Sequence, residues 1–403
     1  MDDTLPAEQV RVIPPQRMGW LAGEVDAWRA SGLVSEAQAE AILGRYRSGR
    51  SFGLARLLLA VGAAFVGVGL IWLVAANLDR FSPTLRFTVV AAGWVGLTLL
   101  AEWLAGRRGH GGPVPSPVVG AARGVAVLAF GAAVFQAAQS LQVPAYEPGL
   151  LGVWGLGALA YAYLLRAATP LLVGILAGAG WVLWEVLWTG PTLLDGVLAL
   201  QVLAVLAVSL GVVHDGWLPD FAAPWREIGA VLTLAALFVA ALPFGELGRV
   251  DTDPLLLGTG VAATAALVTA LVRGRGLARL EPLVAVASGA VAVALVAWET
   301  TEFASEAGAS EWAHAAVAVT AYVALALGVA VLGTLRDSWR LTAVATAALV
   351  VFTTVQSFAV FAQIITGAWL FLVLGSVLIA TGVGFDRARR RLAARIEDEE
   401  VAR

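Results

Sequence analysis

The sequence predicts an all-α protein: a polytopic bundle of about 12 transmembrane helices with a small helical hairpin ahead of it. Three observations lead there. The 403 residues are 59% hydrophobic and only 14% charged, with mean hydropathy +0.82, whereas soluble domains carry about a quarter charged residues. Apolar stretches of about 20 residues, enough to cross a hydrocarbon core, recur between short polar links. Arginine is concentrated on alternate links, as the positive-inside rule requires of a chain that crosses a membrane repeatedly.

Taken in order, residues 1–16 are polar and proline-containing and are expected to be disordered. They lack the apolar core of a cleaved leader, so the first span is expected to serve as an uncleaved targeting signal. Residues 17–50 read as a helical hairpin in the cytoplasm. Leu21, Val25 and Trp28 share one helical face, Ser31-Gly32 ends that helix, and Ser35-Glu36-Ala37-Gln38 fits a capping box that starts the next. Ala39, Ile42 and Tyr46 continue its apolar side. So small a unit buries little core, and is expected to pack on the membrane domain, on a second copy or on a protein partner.

Residues 54–385 form the predicted membrane domain, with spans at 56–76, 85–105, 118–140, 149–166, 169–189, 193–213, 227–244, 254–272, 282–300, 312–333, 340–361 and 364–384. Pro83, Pro117, Pro170, Pro191, Pro254 and Pro282 stand at or near span starts, where a missing N–H costs nothing. Gly120-xxx-Gly124 and Gly174-xxx-Gly178 suit close helix packing within the chain. The first two spans make a hairpin whose turn is Asn77-Leu78-Asp79-Arg80, with Ser82-Pro83 starting the second helix and Arg86 in its first turn. Asn77 is expected to cap the first helix and Asp79 to partner one arginine.

All 26 basic residues are arginine. Only Arg80, Arg86 and Arg249 fall on one side of the predicted topology; the N-terminal segment, the even-numbered links and the tail hold the rest. Both termini are therefore expected in the cytoplasm, in a multi-pass protein of a bacterial inner (plasma) membrane. An even number of spans follows. One of the exceptional arginines, Arg80 or Arg86, is expected to pair with an outer carboxylate such as Glu185 or Asp195.

Gly32-Leu33-Val34-Ser35, Gln38-Ala39, Ile42 and Tyr46, followed by Ala75-Ala76-Asn77-Leu78-Asp79, Pro83 and Arg86, resemble the bacterial membrane-protein family called domain of unknown function 2157. The resemblance covers roughly residues 20–165. Where that family usually has Trp, the chain has Leu78. The resemblance implies a multi-pass membrane protein with a small cytoplasmic head, and implies no activity, cofactor or catalytic residue.

Polar side chains within spans are the usual pointers to function. Gln136, Gln139, Glu185, Asp195, Gln201, Gln356 and Gln363 lie mostly toward the outer helix ends and could line an outward-facing cavity. The bland alternative places them at the interface, with Glu185 inside an aromatic belt of Trp181, Trp184 and Trp188. Glu299, Glu302, Glu306 and Glu311 form an acidic outer link, read as a solvated surface rather than a metal site. His110, His214 and His314 fall on different sides or links and cannot share one site.

There is no cysteine, which removes disulfides, thiolate metal sites and cysteine nucleophiles. No phosphate loop, zincin or serine-hydrolase motif occurs. No cofactor is expected, and the net charge of −3 argues against nucleic acid. The tail, 386–403, sets Arg387, Arg389, Arg390, Arg391 and Arg395 where anionic lipid headgroups would lie, ahead of Glu397-Asp398-Glu399-Glu400. The leading expectation is a non-enzymatic scaffold or sensor engaging a partner through 17–50. A transporter of a small polar or cationic solute or lipid comes second. A lipid-modifying enzyme would need paired carboxylates, or a histidine and a carboxylate, in one pocket.

Overall fold

The structure, a computed structural model, describes residues 11–13, 15–48, scattered helical positions between 58 and 69, 82–109, 115–189, 192–242, 253–298 and 309–356. The first predicted span, its turn at Asn77, Asp79 and Arg80, the span at 364–384 with Gln363 and the charged tail fall outside the described residues, apart from those scattered helical positions.

The head is built by local signals. Helix α1 (Pro15–Ala30) closes on a Schellman turn: Gly32, at φ +73°, donates to the Arg29 carbonyl, and Leu33 donates to the Trp28 carbonyl at 2.9 Å. Only glycine takes that φ without a Cβ penalty. Helix α2 (Glu36–Gly44) starts with the expected capping box, Ser35 Oγ accepting from the Gln38 N–H and Gln38 Oε1 accepting from the Ser35 N–H. The pair closes over Val25, which is fully buried, and Ala39. One feature departs from the sequence expectation for 1–16. Strand β1 (Arg11–Ile13) pairs in parallel with β2 (Tyr46–Ser48), in register Arg11 with Tyr46. Backbone pairing to the far end of the hairpin orders residues whose composition alone reads as loose.

The described membrane domain comprises α3 (Pro83–Gly109), α4 (Ser116–Ser140), α5 (Gly149–Leu165), α6 (Ala168–Thr189), α7 (Leu193–His214), α8 (Pro219–Ala240), α9 (Pro254–Arg273), α10 (Leu280–Ala297), α11 (Ala309–Leu335) and α12 (Trp339–Gln356). Nine of these are long and apolar enough to cross a membrane, and α5 is a shorter apolar helix. They fall on ten of the predicted spans, most ends agreeing within a turn. The exception is α8, which begins at Pro219 rather than 227. Its first two turns carry Asp220, Pro224 and Arg226 and read as a link, yet Phe221 and Trp225 bury themselves against α5, α6 and α7 and hold the helix despite Pro224.

Helices α7 and α8 form the central pair. A Cβ on Gly229 would come within 2.8 Å of the Val208 backbone nitrogen, so this crossing needs glycine there, and one on Gly211 would sit tightly, at 3.1 Å, against the Arg226 nitrogen. On one side α5 and α6 pack through Leu171, Ile175 and Ala207. On the other, α10, α11 and α12 enclose a cluster in which Tyr322 and Phe352 stack at 3.8 Å between centroids. Within the α5–α6 hairpin, Gly155 faces the backbone of Gly178 and Gly174 faces Leu159, while Gly120 and Gly124 meet Thr169, so both GxxxG pairs serve intramolecular packing. Large apolar side chains remain exposed along α3 (Val89, Leu99, Trp103) and α9 (Leu257, Val261, Val268, Val272), the faces that lipid would cover.

Candidate functional site

Four charged residues meet at one end of the bundle. Asp215 caps the C-terminus of α7, Arg226 lies two turns into α8, Glu281 sits in the first turn of α10, and Arg336 follows the last turn of α11. The Arg226 guanidinium donates through Nε to Glu281 Oε2 and through an Nη to Asp215 Oδ2, both at 2.6 Å. Arg336 repeats the arrangement: Nε and an Nη donate to Glu281 Oε1, and its other Nη lies 3.1 Å from Asp215. Each arginine thus touches both carboxylates, and the four charges cancel. The side chains of Arg226 and Glu281 are 6% and 4% exposed, those of Arg336 and Asp215 about a third. Charges so far from water persist only when paired and hydrogen-bonded, and the planar forks of arginine supply that geometry. Glu281 also meets the positive end of its own helix.

A second group lies on α3, α4 and α5. Arg123 donates to both oxygens of Glu102, at 2.8 and 2.7 Å, and the Tyr161 hydroxyl donates to Glu102 at 2.7 Å. Between the two groups, the Tyr163 hydroxyl bonds His214 at 3.0 Å and accepts from the Trp225 indole at 3.1 Å. His214 also reaches the Leu210 carbonyl and stacks on Trp217. These three groups engage α3, α4, α5, α7, α8 and α10 and the residue that follows α11, at the end of the described bundle that carries most of its arginine-bearing links.

Against the tetrad opens a cavity of about 580 Å³, lined by the ends of α7 and α9 and the link to α10. Asp215, Arg336, Arg273, Arg275 and Trp217 contribute to its wall. Arg279 donates from Nε to the Gly274 carbonyl at 2.6 Å and shapes that link. Among the described residues no group of three or more His, Asp and Glu could hold a metal ion.

The described residues expected to share a polar cavity stand on four helices, α4, α6, α7 and α12. Gln136 is buried on α4 and Gln139 is exposed one turn on. Glu185 is half-buried on α6. Asp195 is buried at the start of α7, its backbone N–H capped by Thr192 Oγ1 at 3.1 Å, and its carboxylate accepts from the same hydroxyl. Gln201 is buried two turns further and donates its amide to the Ala285 carbonyl of α10. Gln356 is buried at the end of α12. None of Gln136, Asp195, Gln201 and Gln356 bonds to another, and none lines the cavity described above. Of the hairpin residues, Pro83 opens α3 and the Arg86 N–H donates to the Ser82 carbonyl.

Sequence reasoning assigned Asp215, Arg226, Glu281 and Arg336 no common role. Their one legible signal is that isolated acids, Asp215 and Glu281, stand on the same predicted side as most of the arginines.

Helices of this length, packed around small residues and clad in exposed apolar side chains, define a polytopic α-helical membrane protein. Residues 26–171 match the model of a family described as Predicted membrane protein (DUF2157). The match takes in most of the head and runs into the first turn of α6. No curated protein and no solved structure matches the chain.

Proposed function

We propose that the protein is a non-enzymatic membrane scaffold or sensor that engages a partner through its head, residues 17–50, on the cytoplasmic face. The observation that supports this reading is the head itself. It is internally closed by the Schellman turn, the capping box and the β1–β2 pair, yet it leaves Leu33 exposed to 74% at its tip. A large apolar side chain on a rigid turn is the kind of anchor that interfaces use. The arginine asymmetry supports an inner-membrane protein with both termini in the cytoplasm, and the arginine tail supports an additional contact with anionic lipid.

The test is in-cell photo-crosslinking in the full chain with the photoreactive residue at position 33. A discrete adduct that disappears when the head carries Val25→Asp supports the reading. No adduct at 33, together with an unchanged phenotype on deleting 1–50, would overturn it.

One observation favours transport as a second reading. Along α7 and α10, Asp195 Oδ1, Gln201 Oε1, Ser209 Oγ and Ser288 Oγ are buried without hydrogen-bond partners among the described residues. Unpaired polar atoms in a bundle core are costly and suit a passing polar solute. Solute flux in vesicles that Gln201→Leu abolishes would support it; unaltered flux would not.

A further inference from the structure

The cavity beside the tetrad carries more positive charge than the fold uses. Asp215 faces Arg226 and Arg336, and Glu281 faces the same pair, so the tetrad is neutral. Arg273 and Arg275 then bring two further guanidinium groups to the wall, both exposed and neither in a hydrogen bond or ion pair with any described residue. They are not there by accident of a loose loop. Arg273 ends α9, Gly274 is buried with its N–H on the Ala270 carbonyl, Gly276 turns at φ +54°, and Arg279 clamps the Gly274 carbonyl. A Cβ on Gly274 would lie 2.6 Å from the Ala270 oxygen and 3.3 Å from Val212, so the link is pinned against α7. Trp217, 61% exposed and stacked on His214 at 5.5 Å, forms the rim. Tryptophan is enriched at membrane–water boundaries. The remaining wall includes apolar Val212, Val213 and Ala278.

We propose that this cavity binds a phosphate group, with Arg273 and Arg275 as its ligands, Arg336 behind them and Trp217 covering the adjoining glycerol or sugar. Arginine forks match phosphate oxygens two at a time, and a surplus of guanidinium at a headgroup-level cavity between helices is how anionic lipids are recognised. The same chemistry would accept the phosphate of a water-soluble compound. Asp215 does not repel the ligand, because both arginines of the tetrad hold its carboxylate. The cavity is separate from the charged tail and from the head, and the inference does not depend on either being a contact site.

The test uses the full chain purified in mild detergent. Binding of phosphatidylglycerol and of phosphatidylcholine is titrated by native mass spectrometry, and inorganic phosphate is titrated by thermal shift. Three variants are compared with the parent: the double variant Arg273→Gln/Arg275→Gln, the charge-keeping Arg273→Lys/Arg275→Lys, and the remote control Arg107→Gln/Arg108→Gln. Phosphatidylglycerol is expected to bind the Gln double variant roughly tenfold more weakly or worse, with the Lys variant intermediate and the remote control near the parent. An unchanged melting temperature without ligand separates loss of the site from loss of the fold. Stabilisation by millimolar phosphate that needs Arg273 and Arg275 would assign a water-soluble ligand; response to the lipid alone would assign a headgroup. Binding that is equal in the parent and the Gln variant, or that falls equally in the remote control, would overturn the proposal.

Discussion

The two ends of the bundle solve the same problem with different chemistry. At one end, Asp215, Arg226, Glu281 and Arg336 tie α7, α8, α10 and α11 with charge-assisted bonds, and Glu102, Arg123 and Tyr161 do the same for α3, α4 and α5. At the other, the described contacts are a helix cap, single hydrogen bonds and stacked rings, and Asp195 Oδ1 and Gln201 Oε1 have no partner among the described residues. Asp195 bonds Thr192 three residues away, His314 reaches the Leu295 carbonyl at 3.2 Å, Trp298 donates to Ser310, and Tyr146 stacks on Trp188. The comparison teaches that arginines required on one side by the charge rule also serve, once the helices assemble, as cross-links between them. Among the described contacts, the end poor in arginine shows a helix cap, aromatic stacking and apolar packing.

Breaking a cross-link should cost far more than breaking a cap. Arg226→Leu strands Glu281 and Asp215 in a buried site, and should lower stability by about 3–5 kcal/mol, read as a fall in the thermal midpoint in detergent. Arg123→Gln removes the fork from a carboxylate that is 29% exposed and keeps Tyr161. A loss of about 1–2 kcal/mol is expected by the same measurement. Asp195→Asn, at the opposite end, keeps the hydrogen-bonding shape and forfeits only charge at a helix N-terminus, so about 0.5 kcal/mol is expected. Arg340→Gln severs an ion pair with Glu227 at 3.2 Å in which the arginine is 52% exposed. Its effect should stay below about 1 kcal/mol and shrink in high salt. If Asp195→Asn proved as damaging as Arg226→Leu, the contrast between the ends would be lost.

Much of the fold is legible in the sequence because length and apolarity dictate it. The spans at 116–140, 168–189 and 254–273 need only hydropathy, a proline near the start and a polar link to be found. The capping box at Ser35 is legible for the same reason, being a local pattern with a local cause. The start of α8 is not, because Asp220, Pro224 and Arg226 argue for a link and are overruled by the burial of Phe221 and Trp225. The tetrad is invisible for a related reason. Arg226 and Glu281 are 55 positions apart, and no local periodicity encodes a partner on a different helix. Even so, the arginine asymmetry does mark the end of the bundle where they meet. Gln136, Gln201 and Gln356 stand on three different helices, and hydropathy alone does not encode which neighbours such side chains meet.

The most direct test of the cross-linked end is a double-mutant cycle in the full chain, with Arg226→Gln, Glu281→Gln and the pair, measured by equilibrium unfolding in mixed micelles. Residues in one buried network couple, so a coupling free energy of about 2 kcal/mol or more is expected, with the double variant less damaged than the sum of the singles. Additivity within about 0.5 kcal/mol would contradict the account, because it would mean that Arg226 and Glu281 contribute independently and do not tie α8 to α10.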